Sequence, residues 1–106
     1  MDEEKNIITR FTTPTLSIAF EDIDVSNITI ADLTIKQDKL VIEKHKSSAT
    51  VTPTSISWTL TQEETGQLVA CRQGIARCDW VLQSGTRGIS EKFIFDVENA
   101  GKNEVL

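Results

Sequence analysis

The chain is 106 residues long, is 39% hydrophobic, and carries 16 acidic against 11 basic side chains for a net charge of −5. This length makes one domain, with enough apolar residues for one core and too few for an enzyme with a large buried cleft. The acidic balance gives no electrostatic footprint for nucleic acid, and no apolar run approaches the roughly 18 residues a membrane span needs.

Residues 1–6 read as a disordered leader. Met1-Asp-Glu-Glu-Lys is acidic and lacks the apolar stretch of a secretory signal. The expected location is therefore the cytoplasm, or a particle assembled there. Residues 7–98 read as the single domain, and residues 99–106 as a polar tail ending in Val105-Leu106.

Ile8 to Phe20 reads as a first strand, with Leu16, Ile18 and Phe20 on the inward side. Pro14 interrupts it and marks an edge or a bend, because proline gives no ladder donor. Glu21 to Asn27 is an acidic connection with Ile23, Val25 and Ile28 tucked beneath. Asp22 and Asp24 lack the glycine and distal glutamate of a calcium loop. Thr29–Lys36 reads as a second strand with Leu33 and Ile35 inward. Ile30 is out of phase with them, so a bulge is expected near Ala31-Asp32. Gln37-Asp38-Lys39 reads as a tight turn, and Leu40–Lys44 returns as the partner of a hairpin. His45 follows between Lys44 and Lys46, with no adjacent acid or hydroxyl to orient it for catalysis.

After a short strand over Ala49–Thr52, Pro53-Thr54 leads to the most informative stretch. Ile56, Trp58 and Leu60 share one face at period two. Thr61-Gln-Glu-Glu then gives a helix start, with Thr61 as cap and Glu64 placed for a capping box. Gly66 limits the helix to a turn or two near residues 62–68, after which Leu68-Val69-Ala70 packs back on the core. From Gly74 a further strand places Cys78, Trp80 and Leu82 inward. Ser84-Gly85-Thr86-Arg87-Gly88 is a hairpin turn. Ile89–Val97 closes the sheet with Phe93, Phe95 and Val97 inward. Trp58 and Trp80 are expected to meet across the core.

Cys71 and Cys78 are the only cysteines. With His45 far away they make no four-ligand zinc set. Two reduced thiols are expected, with Cys78 in the core; a bridge would need the chain to double back between them. No phosphate loop, nucleophile–histidine pair or carboxylate pair is present. Glu63 and Glu64 are adjacent and point apart, and Ser90 and Glu91 have no nearby histidine. No cofactor and no enzyme activity are expected.

About seven short strands at turn spacing, with one helical turn, give an all-β class. The architecture expected is an antiparallel immunoglobulin-like β-sandwich without the inter-sheet disulfide.

The chain resembles the small β-sandwich proteins encoded in the tail region of phages and prophages of Gram-positive bacteria. These are similar to the N-terminal domain of the phage baseplate upper protein. The resemblance rests on Ile8-Thr-Arg-Phe-Thr-Thr-Pro-Thr-Leu, Leu33-Thr-Ile-Lys-Gln, Ile56-Ser-Trp-Thr-Leu-Thr-Gln-Glu-Glu-Thr, the aliphatic strand Ala76–Gln83, and the ending Asn103-Glu-Val-Leu. Its most specific piece is Leu60-Thr-Gln-Glu-Glu-Thr. The Cys71–Cys78 segment and the two tryptophans depart from the pattern. The resemblance implies a non-catalytic structural part of a virion, or of the cytoplasm during assembly. Such a part would dock other tail or baseplate proteins and would often be multimeric. It supplies no catalytic residue to carry over, and the charge balance and the lack of a long apolar run already argue against nucleic-acid and membrane partners. Strand addition at the Thr-rich surface or the Pro14 edge, or docking of the Val105-Leu106 end, would supply the contacts. The alternative is a carbohydrate-binding module that presents Trp58 or Trp80 to a cell-surface glycan.

Overall fold

A computed structural model describes residues 6–106; residues 1–5 of the expected leader lie outside the described residues. In chain order the elements are β1 (Ile7–Thr9), β2 (Thr15–Ala19), β3 (Ile28–Gln37), β4 (Leu40–His45), β5 (Thr50–Val51), β6 (Ser55–Thr59), α1 (Gln62–Gly66), β7 (Gln73–Leu82), β8 (Arg87–Ile89) and β9 (Phe93–Glu98). The larger sheet runs β1-β9-β7-β3-β4, with β8 also on β7, and the smaller runs β2-β6-β5. Neighbours are antiparallel except β1, which lies parallel on β9. The result is an immunoglobulin-like sandwich.

The core follows from period-two alternation on both inner faces. Phe20, Leu33, Ile35, Ile56, Trp58, Leu60, Cys78, Phe95 and Val97 are buried; Leu16, Ile18, Trp80, Leu82 and Phe93 pack against them half-buried. Ile8, Val25, Ile28, Ala31, Ile42, Leu68 and Ala76 complete the cluster. Val69, by contrast, turns outward beside buried Leu68.

The corner between β6 and β7 ties the layers together. Thr61 Oγ1 accepts the Glu64 amide and Glu64 Oε1 accepts the Thr61 amide, closing the capping box. Thr65, fully buried, donates its hydroxyl to Thr12 O and accepts the Thr12 amide. Arg10 donates to Gly66 O at 3.0 Å and to Asn99 at 3.0 Å, stacking over Phe11 on the way. The short helix is thus held by its cap and by the side chains of Thr65 and Arg10, since a single turn has little intrinsic stability.

Several expectations are corrected. The segment Ile8–Phe20 is two strands in different sheets, parted by a turn in which Phe11 adopts a left-handed φ of 59°. Asn6 is not loose: its carbonyl accepts the Asp96 amide and its side chain reaches Ile94 O. The register of β3 slips between Ile28 and Ile30, ahead of the expected Ala31-Asp32. Gln37 ends β3 and is buried, so the turn is left to Asp38 (φ 53°) and Lys39. Its amide accepts the Val69 N–H at 2.7 Å and donates to Val69 O at 2.9 Å, which satisfies it in place of water.

Ile89–Val97 is also two strands, β8 and β9, interrupted at residues 90–92. Ser90 Oγ there accepts the Cys78 amide, replacing a ladder carbonyl. The described residues thus hold nine strands, some of only two or three residues. Trp58 and Trp80 do not stack on each other. Trp80 meets Phe20 edge-on at 5.1 Å, and Trp58 donates its indole N–H to His45 O at 3.0 Å. Trp80 lies so close over Gly88 that a Cβ there would come within 2.3 Å of the ring.

Candidate protein-binding site

The groups that could carry chemistry are spread out, and several of them already have partners. His45 does have an acidic partner: register sets Asp32 opposite it on β3, and Nδ1 lies 2.8 Å from Asp32 Oδ1. That hydrogen bond and charge raise the imidazole pKa above its ordinary value. The pair is exposed, and Ser48 Oγ donates to the His45 main-chain carbonyl at 2.9 Å rather than to the ring. Glu64 points to Lys44 while Glu63 stays exposed. Asp24 caps a short 3-10 turn, and its hydrogen bonds from Ser26 lower its carboxyl pKa. Cys71 is exposed and Cys78 buried, both as free thiols. Among the described residues, no three His, Cys, Asp or Glu side chains cluster as a metal would need. No helix there is long and apolar enough to cross a membrane.

The edge strand β2 is the feature that remains. Phe20 N donates to Thr54 O and Leu60 N to Pro14 O. With Thr15 opposite Thr59 and Ala19 opposite Ser55, the even-numbered residues of β2 spend their main-chain groups on β6. The N–H and C=O groups of Thr15, Ser17 and Ala19 therefore point to the open side, where β2 has no strand neighbour among the described residues. Hydroxyl pairs hold β2 to β6 from the outside: Thr15 with Thr59 at 2.9 Å and Ser17 with Ser57 at 2.7 Å.

The other sheet edges are guarded in the ways that discourage pairing. β4 carries Glu43, Lys44 and His45; β1 has three residues; β8 has three and begins with Arg87; β5 has two and is closely followed by Pro53. Of the edge strands among the described residues, β2 alone has five residues and no charge. Beside it opens a cleft of about 160 Å³ lined by Leu16, Ile18, Leu33, Ala76 and Phe93, together with Arg77 and Glu91.

The edge is open for a topological reason. Four strands commonly form this layer of an immunoglobulin sandwich. Here β1, the strand that would flank β2, is spent on β9 instead. The Pro14 signal lies just ahead of this edge, but the Pro14 carbonyl is already taken by the Leu60 amide, just past β6. The absence of charge over residues 15–19 is the signal that could have located the edge.

The C-terminal apolar pair lies on the surface. Leu106 is 83% exposed, and its amide donates to Gln62 Oε1 at 2.7 Å. Compared with known protein families and with curated proteins, the sequence matches none.

Proposed function

We propose that the chain is a non-catalytic assembly module of the phage or prophage tail and baseplate type. It works through protein–protein contacts by accepting an extended segment of a tail or baseplate protein on the free edge of β2. The observation that carries this is the row of main-chain groups at Thr15, Ser17 and Ala19 beside an apolar cleft. An added strand would pair those groups and place every second side chain in the cleft, the division of labour that strand addition uses. Trp58 is 0% exposed and offers a sugar no platform, while Trp80 is half-buried with its ring packed on Phe20 and Gly88, which leaves only part of it to the surface. This favours the assembly role over glycan binding.

The test is to look for the chain in purified particles from the phage or induced lysogen that encodes it, beside a Ser17→Pro variant. Proline removes one outward N–H and fits an edge strand without touching the β6 ladder. The expected result is incorporation of the wild type and loss of incorporation for the variant, which still folds cooperatively although it loses the Ser17–Ser57 hydroxyl pair; Ser17→Ala, which loses that pair but keeps the N–H, is incorporated. Absence of the wild-type chain from particles overturns the assembly role; normal incorporation of Ser17→Pro overturns the β2 site.

A further inference from the structure

The outer face of the larger sheet carries a pattern visible only across strands. Register sets Ile94, Ile75, Lys36 and Val41 in one row over β9, β7, β3 and β4. Ile94, Ile75 and Val41 are 47%, 37% and 52% exposed, an unusual amount of branched apolar surface for one sheet face. In the next row Arg77 faces Thr34 and Thr34 faces Glu43. Lys92 extends that row on the β9 side, one step beyond the Ala76–Phe93 pair, and lines the same surface hollow as Arg77 and Thr34. The row thus ends in a cation on one side and an anion on the other. Three strand spacings, about 14 Å in all, part Lys92 from Glu43. Among the described residues neither belongs to an ion pair.

We infer that this face is a homodimer interface, in which a second copy packs face to face about a two-fold axis running along the strands between β7 and β3. Such an axis exchanges left and right and keeps each residue at its own height. Lys92 then comes over the partner's Glu43, and Ile94 over the partner's Val41. Ile75 meets the aliphatic stem of the partner's Lys36. Each contact occurs twice, as an isologous interface requires. One row further along, Asp79 and Asp32 come to the same level, but Arg87 and His45 already hold them at 2.8 Å. An arbitrary partner would not need this face to mirror itself in charge and shape, which is why a second copy is the occupant. The inference is independent of strand addition, because it uses the other layer and leaves β2 free.

The experiment is sedimentation and light scattering of the purified chain over a dilution series, with Lys92→Glu, Glu43→Lys, the double variant and Ser17→Pro. The expected result is a species of twice the 11.8 kDa chain that dissociates on dilution. Each single charge reversal weakens it about tenfold or more, and the double reversal returns it to within about threefold of wild type. Ser17→Pro leaves it unchanged. A monomer up to about 0.5 mM overturns the inference. So does a dimer indifferent to the single reversals, a double variant that stays weak, or a dimer lost with Ser17→Pro. Both charged positions are on the surface, and circular dichroism checks that every variant is folded.

Discussion

Lys44 Nζ lies 2.9 Å from Glu64 Oε1, the same oxygen that accepts the Thr61 amide at 2.9 Å. One carboxylate therefore closes the cap of α1 and fastens that helix to β4, an edge strand of the larger sheet. Both side chains are mostly shielded, at 15% and 19% exposure. A shielded pair with complementary hydrogen bonds is sensitive to loss of one member, because the other charge is left without compensation.

Glu64→Ala is expected to destabilise the fold by about 1–3 kcal/mol, combining the lost cap and the stranded Lys44. Burial alone would push the Glu64 carboxyl up. The hydrogen bonds from Lys44 and the Thr61 amide, with the Lys44 charge, outweigh it and hold the carboxyl below its ordinary value. A carboxyl depressed on folding contributes stability above its unfolded pKa and loses it as the pH falls through the folded one. The wild type should therefore lose stability on acidification below about pH 4. Glu64→Gln should be less stable at neutral pH and flatter through that window. Urea unfolding at a series of pH values measures both, and parallel curves for wild type and Glu64→Gln would rule the ion pair out as the cause.

Thr65→Val tests the second fastening of the same corner. The substitution keeps volume and removes a hydroxyl that serves both Thr12 main-chain groups, at 2.8 and 3.0 Å. The expected cost is about 1–3 kcal/mol, with faster hydrogen exchange at the Thr12 amide. An unchanged urea midpoint would show that water takes over both bonds at no cost.

His45 and Asp32 make a third measurable pair. A histidine raised on folding contributes stability below its unfolded pKa and loses it as the pH rises through the higher folded value. The expected NMR titration midpoint for His45 lies above 6.5 and falls toward it in Asp32→Asn. A wild-type midpoint at or below 6.5 would mean the hydrogen bond does not persist in solution. Both groups are exposed, so the accompanying change in stability above neutral pH is expected to be small.

What the sequence made legible follows the range of the interactions. The capping box of Thr61 and Glu64 is set by residues three apart and is plain in the chain. So is the inward set around Trp58 and Phe95, because period two survives whatever the sheet order. Partners fixed by register were not legible. Asp32 meets His45 only once β3 and β4 are aligned, and Gln37 is satisfied by Val69 and Arg72 from a distant loop. The parity of Trp80 gave its direction but not its neighbour, which is Phe20. The open edge of β2 depends on where β1 goes, and three residues of Ile and Thr do not encode a choice between β2 and β9.

The two thiols should separate cleanly by reactivity. Cys71 is exposed just before β7, in a left-handed conformation with φ 65°, its amide bonded to Val97 O at 2.9 Å. Cys78 is 0% exposed, and burial, reinforced by the Asp79 and Asp32 charges, pushes its thiol up to about 12. Thiolate is the reactive form, so at pH 8 a thiol reagent should titrate one cysteine quickly in the native chain and two after unfolding. Cys71→Ser should abolish the fast phase, whereas Cys78→Ala should leave it and cost stability by opening a cavity. Cys71→Gly should also be tolerated, since glycine adopts that φ without a Cβ clash. Two fast thiols in the native state would place Cys78 outside the core. None before reduction would reveal a bridge, and that bridge would need Cys78 to leave the inner face of β7, where its neighbours Ala76 and Trp80 also point.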